Sequence, residues 1–492
     1  MGFSSVFGKD LEISCGIRCK LSRCLEDLLD TAEVQRLRRV SSLGYVSFVY
    51  PDGTHSRFGH SLRVAHWGRK MLESACRNGP VKLDFGSFDK LVSATLLLHD
   101  VGHGPFSHGF QNVLEFFTGM SHEEVTGKII AGEFTMSDYV MKLPGSVISD
   151  IDRMSKLKIY KKLPSVPHVL SQLGLCNSMI AQIIDMSRGD FDLVGDNVFL
   201  RQLVSGLFDA DRVAYLQHDP DRTGLRQCIF DPEAYLISQL YVVEAGGQKV
   251  LALDKSALTE VRQLLDVRSK MHTIAYTHPT VLKIEAMMYE AAKRALGNLV
   301  GQIPEKDMGL VLYLMDDNEF ERFICSTTDE TALWLYNTAK LDRNSKYVHA
   351  YSINRDNVKI GTGVDLALQK IHEIQGVFPE DKVKKEILER VNAGKDVKLE
   401  DHEVIVYFRK VRTDPSKTGL VLSGFWIVDN DSVYNAKDRL DDPDVHDQEL
   451  LRIMDAINNP INYLDFTVLC PAKYEHRVQK ASEEYIGNLK RA

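Results

Sequence analysis

From Leu91 to Leu98 the chain is apolar almost all round, and the next residues are His99-Asp100-Val101-Gly102-His103-Gly104-Pro105-Phe106-Ser107-His108. A helix with no polar face has to be surrounded by other elements, so this stretch predicts the middle of a helical bundle. Ser87-Phe88-Asp89 supplies a cap and a first-turn acid for its start. The bundle therefore ends one of its inner helices on an imidazole beside a carboxylate. Gly102 and Gly104 then let the backbone bend closely around whatever lies there. A polar surface loop is the ordinary alternative, but a loop seldom concentrates three histidines and an aspartate within ten residues.

The rest of the chain fits a soluble protein with more than one core. Its 492 residues suggest two or three domains, and 44% hydrophobic with 26% charged residues is ordinary globular composition. No run of about 18 apolar residues indicates a membrane span, and the expected location is the cytoplasm. Eight cysteines, with Cys15, Cys19 and Cys24 at no zinc spacing, read as reduced thiols. A net charge of −8 argues against nucleic acid as the main partner. Helical periodicity runs from about Leu21 to Tyr289, with Leu203 to Gln217 as one helix ended by Pro220 and Val281 to Ala295 as another. Strand-like runs follow at Val404 to Phe408, Gly424 to Val428 and Phe466 to Leu469, with turn residues around Pro415 and Gly419, and Glu475 to Leu489 reads as a closing helix. The expected architecture is mainly α: a helical catalytic core over 1–335 and a smaller α+β region over 336–492, a candidate for oligomerisation or regulation.

Two further segments carry chemistry. On a helix, His60 shares a stripe with Val64, Trp67, Gly68 and Met71, which points it inward; alone, such a histidine is more often a hydrogen-bonded core residue than a ligand. Arg57 lies one turn earlier on the same side and suits an anion. Asp211 sits among Leu207, Phe208, Ala214 and Tyr215, where a carboxylate needs either a salt bridge or a cation. Together, His60, His99, Asp100 and Asp211 offer two nitrogens and two carboxylates, a set that suits one Mn, Fe, Mg or Zn ion per subunit.

The order His60, His99-Asp100, Asp211 resembles the metal motif of the HD-domain phosphohydrolases. Asp30 to Arg38, His55 to Leu62, His99 to His108 and Asp209 to Tyr215 resemble segments of one branch, the SAM-and-HD-domain deoxynucleotide triphosphohydrolases and their bacterial relatives. The likeness spans roughly residues 25 to 290. It implies an HD-domain helical bundle that cleaves a deoxynucleoside triphosphate (dNTP) into deoxynucleoside and intact triphosphate, with Mg accompanying the nucleotide. By position, His103, His108 and His122 match histidines that handle protons and phosphate. Arg57, Arg212, Tyr215 and Arg268 match groups around the triphosphate, and Asp219 and Tyr276 groups near the sugar. Asp211, Tyr215 and Asp219 fall at i, i+4 and i+8, so one helix face can present them in a row. Asp30, Gln35 and Arg38 match residues that bind an activating guanine nucleotide at a subunit contact, which implies a GTP or dNTP effector and a homo-oligomer, dimer or tetramer. A charged helix face behind an N-cap is the plainer reading of those three.

Ser42 and Gln111 depart from the best-known member of this branch, which has a glutamine and an aspartate there. Ser42 affects how the sugar is read. Gln111 cannot take up a proton at neutral pH, so His122 would be polarised differently. Two other readings stay open, an HD phosphodiesterase or nuclease, and a nucleotide-binding sensor with weakened hydrolysis.

Overall fold

The computed structural model describes residues 11–13, 17–19, 23–233, 236–342, 347–353, 379–409, 424–430, 432–442, 447–458 and 465–489. The turn region around Pro415 and Gly419 and the side chains of Cys15, Cys19 and Cys24 lie outside them. The chain divides into two compact units. The first comprises 1–276, 303–320 and 414–459; the second comprises 277–302, 321–413 and 460–492. Each draws on three separate stretches, whereas the sequence suggested one boundary near residue 335.

The first unit is mainly helical, as expected. Its relevant helices are α1 (Ala32–Arg36), α2 (Arg57–Asn78), α3 (Phe85–Leu98), α4 (His122–Ala131), α5 (Val198–Val204), α6 (Ala210–Thr223) and α7 (Leu258–Met271). α3 is buried from Leu91 to Leu98 and packs on α2, which also packs on α6. Gly68 of α2 marks the closest crossing: a Cβ there would lie 1.9 Å from Leu96 Cδ1 and 3.1 Å from Ala210 Cβ. That crossing brings the ends of three helices towards one place. The cap of α3 is Asp84, whose side chain accepts from Gly86 N, and Ser87 instead donates its hydroxyl to Asp84.

The stretch from Leu203 to Gln217 is not one helix. α5 ends at Val204, the chain turns at Gly206, and α6 starts behind Asp209, whose carboxylate accepts from Arg212 N and Gly206 N. A Cβ at Gly206 would sit 2.6 Å from Gln202 O, so this turn needs glycine. Pro220 lies inside α6, which runs on to a left-handed Gly224.

The unit also contains a sheet in the order β3-β4-β7-β8. After a short hairpin of β1 (Leu11–Ile13) and β2 (Ile17–Cys19), β3 (Leu240–Ala245) and β4 (Gln248–Asp254) form a second hairpin within the region read as helical. Gly246 and Gly247, both at positive φ, make its two-residue turn. Further along the chain, β7 (Trp426–Asp429) pairs in parallel with β4, and β8 (Ser432–Asn435) closes the edge.

The second unit has a three-stranded antiparallel sheet with β9 (Asp465–Pro471) between β5 (Tyr347–Ile353) and β6 (Ile405–Arg409). It also holds α8 (Pro279–Leu299), α9 (Pro379–Asn392) and α10 (Glu475–Leu489). Val383, Ile387, Phe408, Phe466, Val468 and Val478 share one core there. Among the described residues, no helix is long and apolar enough to cross a membrane, and Cys76, Cys176, Cys228, Cys325 and Cys470 are free thiols.

Candidate functional site

The crossing of α2, α3 and α6 brings together His60, His99, Asp100 and Asp211. His60 Nε2 lies 2.9 Å from Asp211 Oδ1 and 3.3 Å from Asp100 Oδ2. His99 Nε2 lies 3.4 Å from Asp100 Oδ1 and 3.9 Å from Asp211 Oδ1. His99 Nδ1 donates to Leu96 O at 2.7 Å, which turns Nε2 towards the carboxylates. Both Nε2 atoms are buried without a hydrogen bond. Imidazole nitrogens and carboxylates thus converge: ligand atoms of His60, His99 and Asp211 lie within 4.8 Å of one another, a set that fits a divalent ion, while Asp100 groups with His103 and His122. Burial opposes charging His60, but Asp100 and Asp211 outweigh it and raise its pKa to about 9. Burial likewise opposes ionising Asp100, yet the neighbouring His99, the Arg57 guanidinium and the hydrogen-bonding His103 hold its carboxyl well below the usual range.

Arg57 is buried at the first turn of α2. Its Nη1 donates to Asp100 Oδ2 at 2.6 Å and its Nε to Ser107 Oγ at 2.8 Å. His103 Nε2 lies 3.3 Å from Asp100 Oδ1, and its ring stacks on His122, at the start of α4, with centroids 4.1 Å apart. His108 meets His103 edge-on at 4.9 Å. Burial, together with the charge of Arg57, keeps His103 neutral well below its ordinary pKa; burial lowers His122 as well, against the opposing pull of Glu123.

Gln111 bonds to His108, not to His122. Its Nε2 donates to Glu115 Oε1 at 2.7 Å, so its Oε1 faces His108 and accepts from Nδ1 at 3.0 Å. The amide therefore hands the orienting effect of a carboxylate on to His108 instead of abolishing it. Ser42 is tied through its main chain, N donating to His55 O at 3.0 Å.

Asp211, Tyr215 and Asp219 do lie along α6. Asp219, almost fully buried, accepts from Tyr276 Oη at 2.6 Å and lies 3.0 Å from His55 Nε2. Arg268, on α7, is close enough for its charge to act on Tyr215, and its Nε makes no hydrogen bond. Arg212 donates to Gly206 O and sits 3.7 Å from Asp209, so its guanidinium is engaged with its own loop. Arg38 Nε donates to Gln35 Oε1 at 2.8 Å and its guanidinium lies over the Phe58 ring, 3.7 Å from the centroid; Gln35 Nε2 donates to Leu29 O at 2.6 Å, and Asp30 is exposed.

Four residues of this corner carry no signal of their own in the sequence. His55 pairs with Asp219, Ser107 receives Arg57, Asp317 accepts from Phe106 N, and Arg36 donates to the carbonyls of Val101 and His103. Only proximity in the folded chain reveals them.

Comparison with known proteins agrees with this geometry. Residues 57–162 match the HD domain family. The uncharacterized protein YwfO of Bacillus subtilis is 29% identical over 269 residues, 55% of this chain and 51% of that protein. The deoxynucleoside triphosphate triphosphohydrolase SAMHD1 homolog of Dictyostelium discoideum is 28% identical over 272 residues, covering 55% and 46% respectively. The deoxynucleoside triphosphate triphosphohydrolase SAMHD1 of Bos taurus is 25% identical over 316 residues, covering 59% and 51%. The matched region is thus about half the length of each of these relatives. The segment that holds His60, His99 and Asp100 is thus similar to the HD domain, and a longer stretch of the chain is similar to these deoxynucleoside triphosphate triphosphohydrolases.

Proposed function

We propose that this protein is a metal-dependent dNTP triphosphohydrolase, converting dNTP and water into deoxynucleoside and intact triphosphate. The carrying observation is the corner itself: two unbonded imidazole nitrogens and two carboxylates face one another beside the buried guanidinium of Arg57. His60, His99, Asp100 and Asp211 hold one divalent ion in this reading. When bound, that ion supplies Lewis acidity at the α-phosphoryl group and lowers the pKa of water.

The chain's own residues supply the rest. Arg57 and Arg268 balance the charge of the leaving triphosphate, and Arg212 joins them once it lets go of Gly206 O. Water oxygen joins the α-phosphorus, the bond to the sugar 5′ oxygen breaks, and that oxygen takes up a proton. His103 and His122, held neutral, can accept a proton from water, and the approach of a polyanion raises their basicity. His108, oriented by Gln111 through Nδ1, can return that proton once it has taken it up on Nε2. Asp219 and Tyr276 read the sugar, and Tyr215 lies between them and the metal corner on α6. Asp30, Gln35 and Arg38 form part of a guanine-nucleotide effector site in a dimer or tetramer.

Incubation with each dNTP and Mn, Mg or Fe, followed by mass detection, is expected to give triphosphate; pyrophosphate as the product sinks the reading. Asp211→Ala is expected to lose both metal and turnover, and retained metal would show the ligand assignment to be wrong. Full turnover without guanine nucleotide removes the effector. A phosphodiesterase reading has one observation in its favour: ligand atoms of Asp100, His103 and His122 also lie within 4.8 Å of one another, which would suit a second ion. The stacking of His103 on His122 disfavours it, and two metals per chain by elemental analysis would restore it.

A further inference from the structure

The turn between α3 and the His108 segment has an unusual backbone. Phe106 and Ser107 are consecutive non-glycine residues at positive φ, 54° and 52°. Side chains resist this region, and such pairs persist only where the surroundings impose them. Phe106 is stacked by Tyr45, centroids 5.0 Å apart at 16°. Its amide donates to Asp317 Oδ1 at 2.7 Å. The other oxygen of that carboxylate, Oδ2, accepts from Ser41 N at 2.9 Å. One side chain, more than two hundred residues away in the sequence, thus grips two separate loops of the same unit.

Both loops end on Arg57. Ser107, turned inward by the left-handed pair, donates to Ser41 O at 2.6 Å and accepts from Arg57 Nε at 2.8 Å. Val40 O accepts from Arg57 N at 2.9 Å, and Ser41 bridges to Ser56. Arg57 then reaches Asp100. The chain of contacts is continuous from Asp317 to the guanidinium and the carboxylate.

We infer that Asp317 is a positioning residue: by clasping Phe106 N and Ser41 N it holds the left-handed turn in place, and Ser107 thereby aims Arg57 at an incoming polyphosphate. This rests on reading the corner as a phosphate site. Asp317 touches neither substrate nor metal. Replacing a group of this kind usually weakens a site by about tenfold or more without dismantling it.

The test uses the full chain, with inorganic tripolyphosphate as the probe, in a cycle of wild type, Asp317→Asn, Ser107→Ala and the double variant. Each single change is expected to weaken tripolyphosphate binding by about tenfold, and Asp317→Asn should add little in the Ser107→Ala background, because both act through one chain of contacts. Amide hydrogen exchange should quicken at 104–108 and 40–42 in Asp317→Asn and nowhere else. A lowered melting temperature with unchanged tripolyphosphate affinity overturns the inference, as do additive losses or exchange quickened throughout the unit. If Asp317→Asn does not fold, Ser107→Ala alone decides, since Arg57 loses its anchor there too; unchanged affinity in it overturns the inference. Failure of the wild type to bind tripolyphosphate would instead fell the phosphohydrolase reading, while the exchange pattern still decides whether Asp317 clasps the turn.

Discussion

Arg36 is fully enclosed, yet among the described residues it forms no ion pair at bonding distance. Its Nη1 donates to Tyr313 O and Met315 O at 3.0 and 3.2 Å, and its Nη2 to Val101 O and His103 O at 2.9 and 2.7 Å. Burial pushes its pKa down to about 10, so it stays charged. The guanidinium is therefore a four-way pin between the His-Asp turn and the 313–315 segment. Arg36→Met strands four carbonyls and is expected to cost about 3 kcal/mol, read from urea unfolding; Arg36→Lys, with three donors on a point charge, should lose less. Wild-type stability in both variants would refute the pin. In the sequence Arg36 looks like one more cation between Gln35 and Arg38, because its partners are main-chain atoms, which no residue type announces. His60, His99, Asp100 and Asp211 were legible for the opposite reason: imidazoles and carboxylates in apolar surroundings need a partner, so their placement is itself a message.

At the level of elements, the turn after α3 is wedged against α4. A Cβ on Gly102 would lie 2.4 Å from His122 O and 2.4 Å from Thr126 N, both main-chain atoms that cannot swing aside. Gly102→Ala should cost about 3 kcal/mol and part the rings of His103 and His122, whereas Gly145→Ala, with open space around it, should leave the melting temperature unchanged. Equal melting temperatures for the two would contradict the wedge. α3, the strands β6, β7 and β9, and α10 could be read from the sequence because their apolar periods are long and clean. The break before α6 could not, since apolar residues continue at helical spacing through Leu207 and Phe208 and only the crowding at Gly206 forbids a helix. The β3-β4 hairpin did leave a signal, Gly246-Gly247 between two largely apolar runs, but it lies within a long region of helical periodicity.

At the level of the molecule, the second unit carries a response to pH of its own. Glu380, in the second, is buried, and burial raises its pKa from 4.5 to about 7. Its folded pKa exceeds the unfolded one, so the native state holds its proton more tightly. Its contribution is complete below about pH 4.5 and is lost as pH climbs through 7, by about 3 kcal/mol in all. Glu380→Gln should flatten that decline when unfolding is compared at pH 5 and pH 8; a decline as steep as the wild type's would show that another group causes it.

The parallel pairing of β4 with β7 sets a timetable for biosynthesis. On the ribosome, β3 and β4 emerge while all of residues 255–425 are still to be made, a wait on the order of ten seconds at about 5–20 residues per second. Through that interval the nascent hairpin shows an open edge at Ala252, Leu253 and Asp254, the kind of surface that invites pairing with foreign strands. The first unit thus cannot be finished in the order in which it is translated. A chaperone that shields this edge would raise the yield of folded protein.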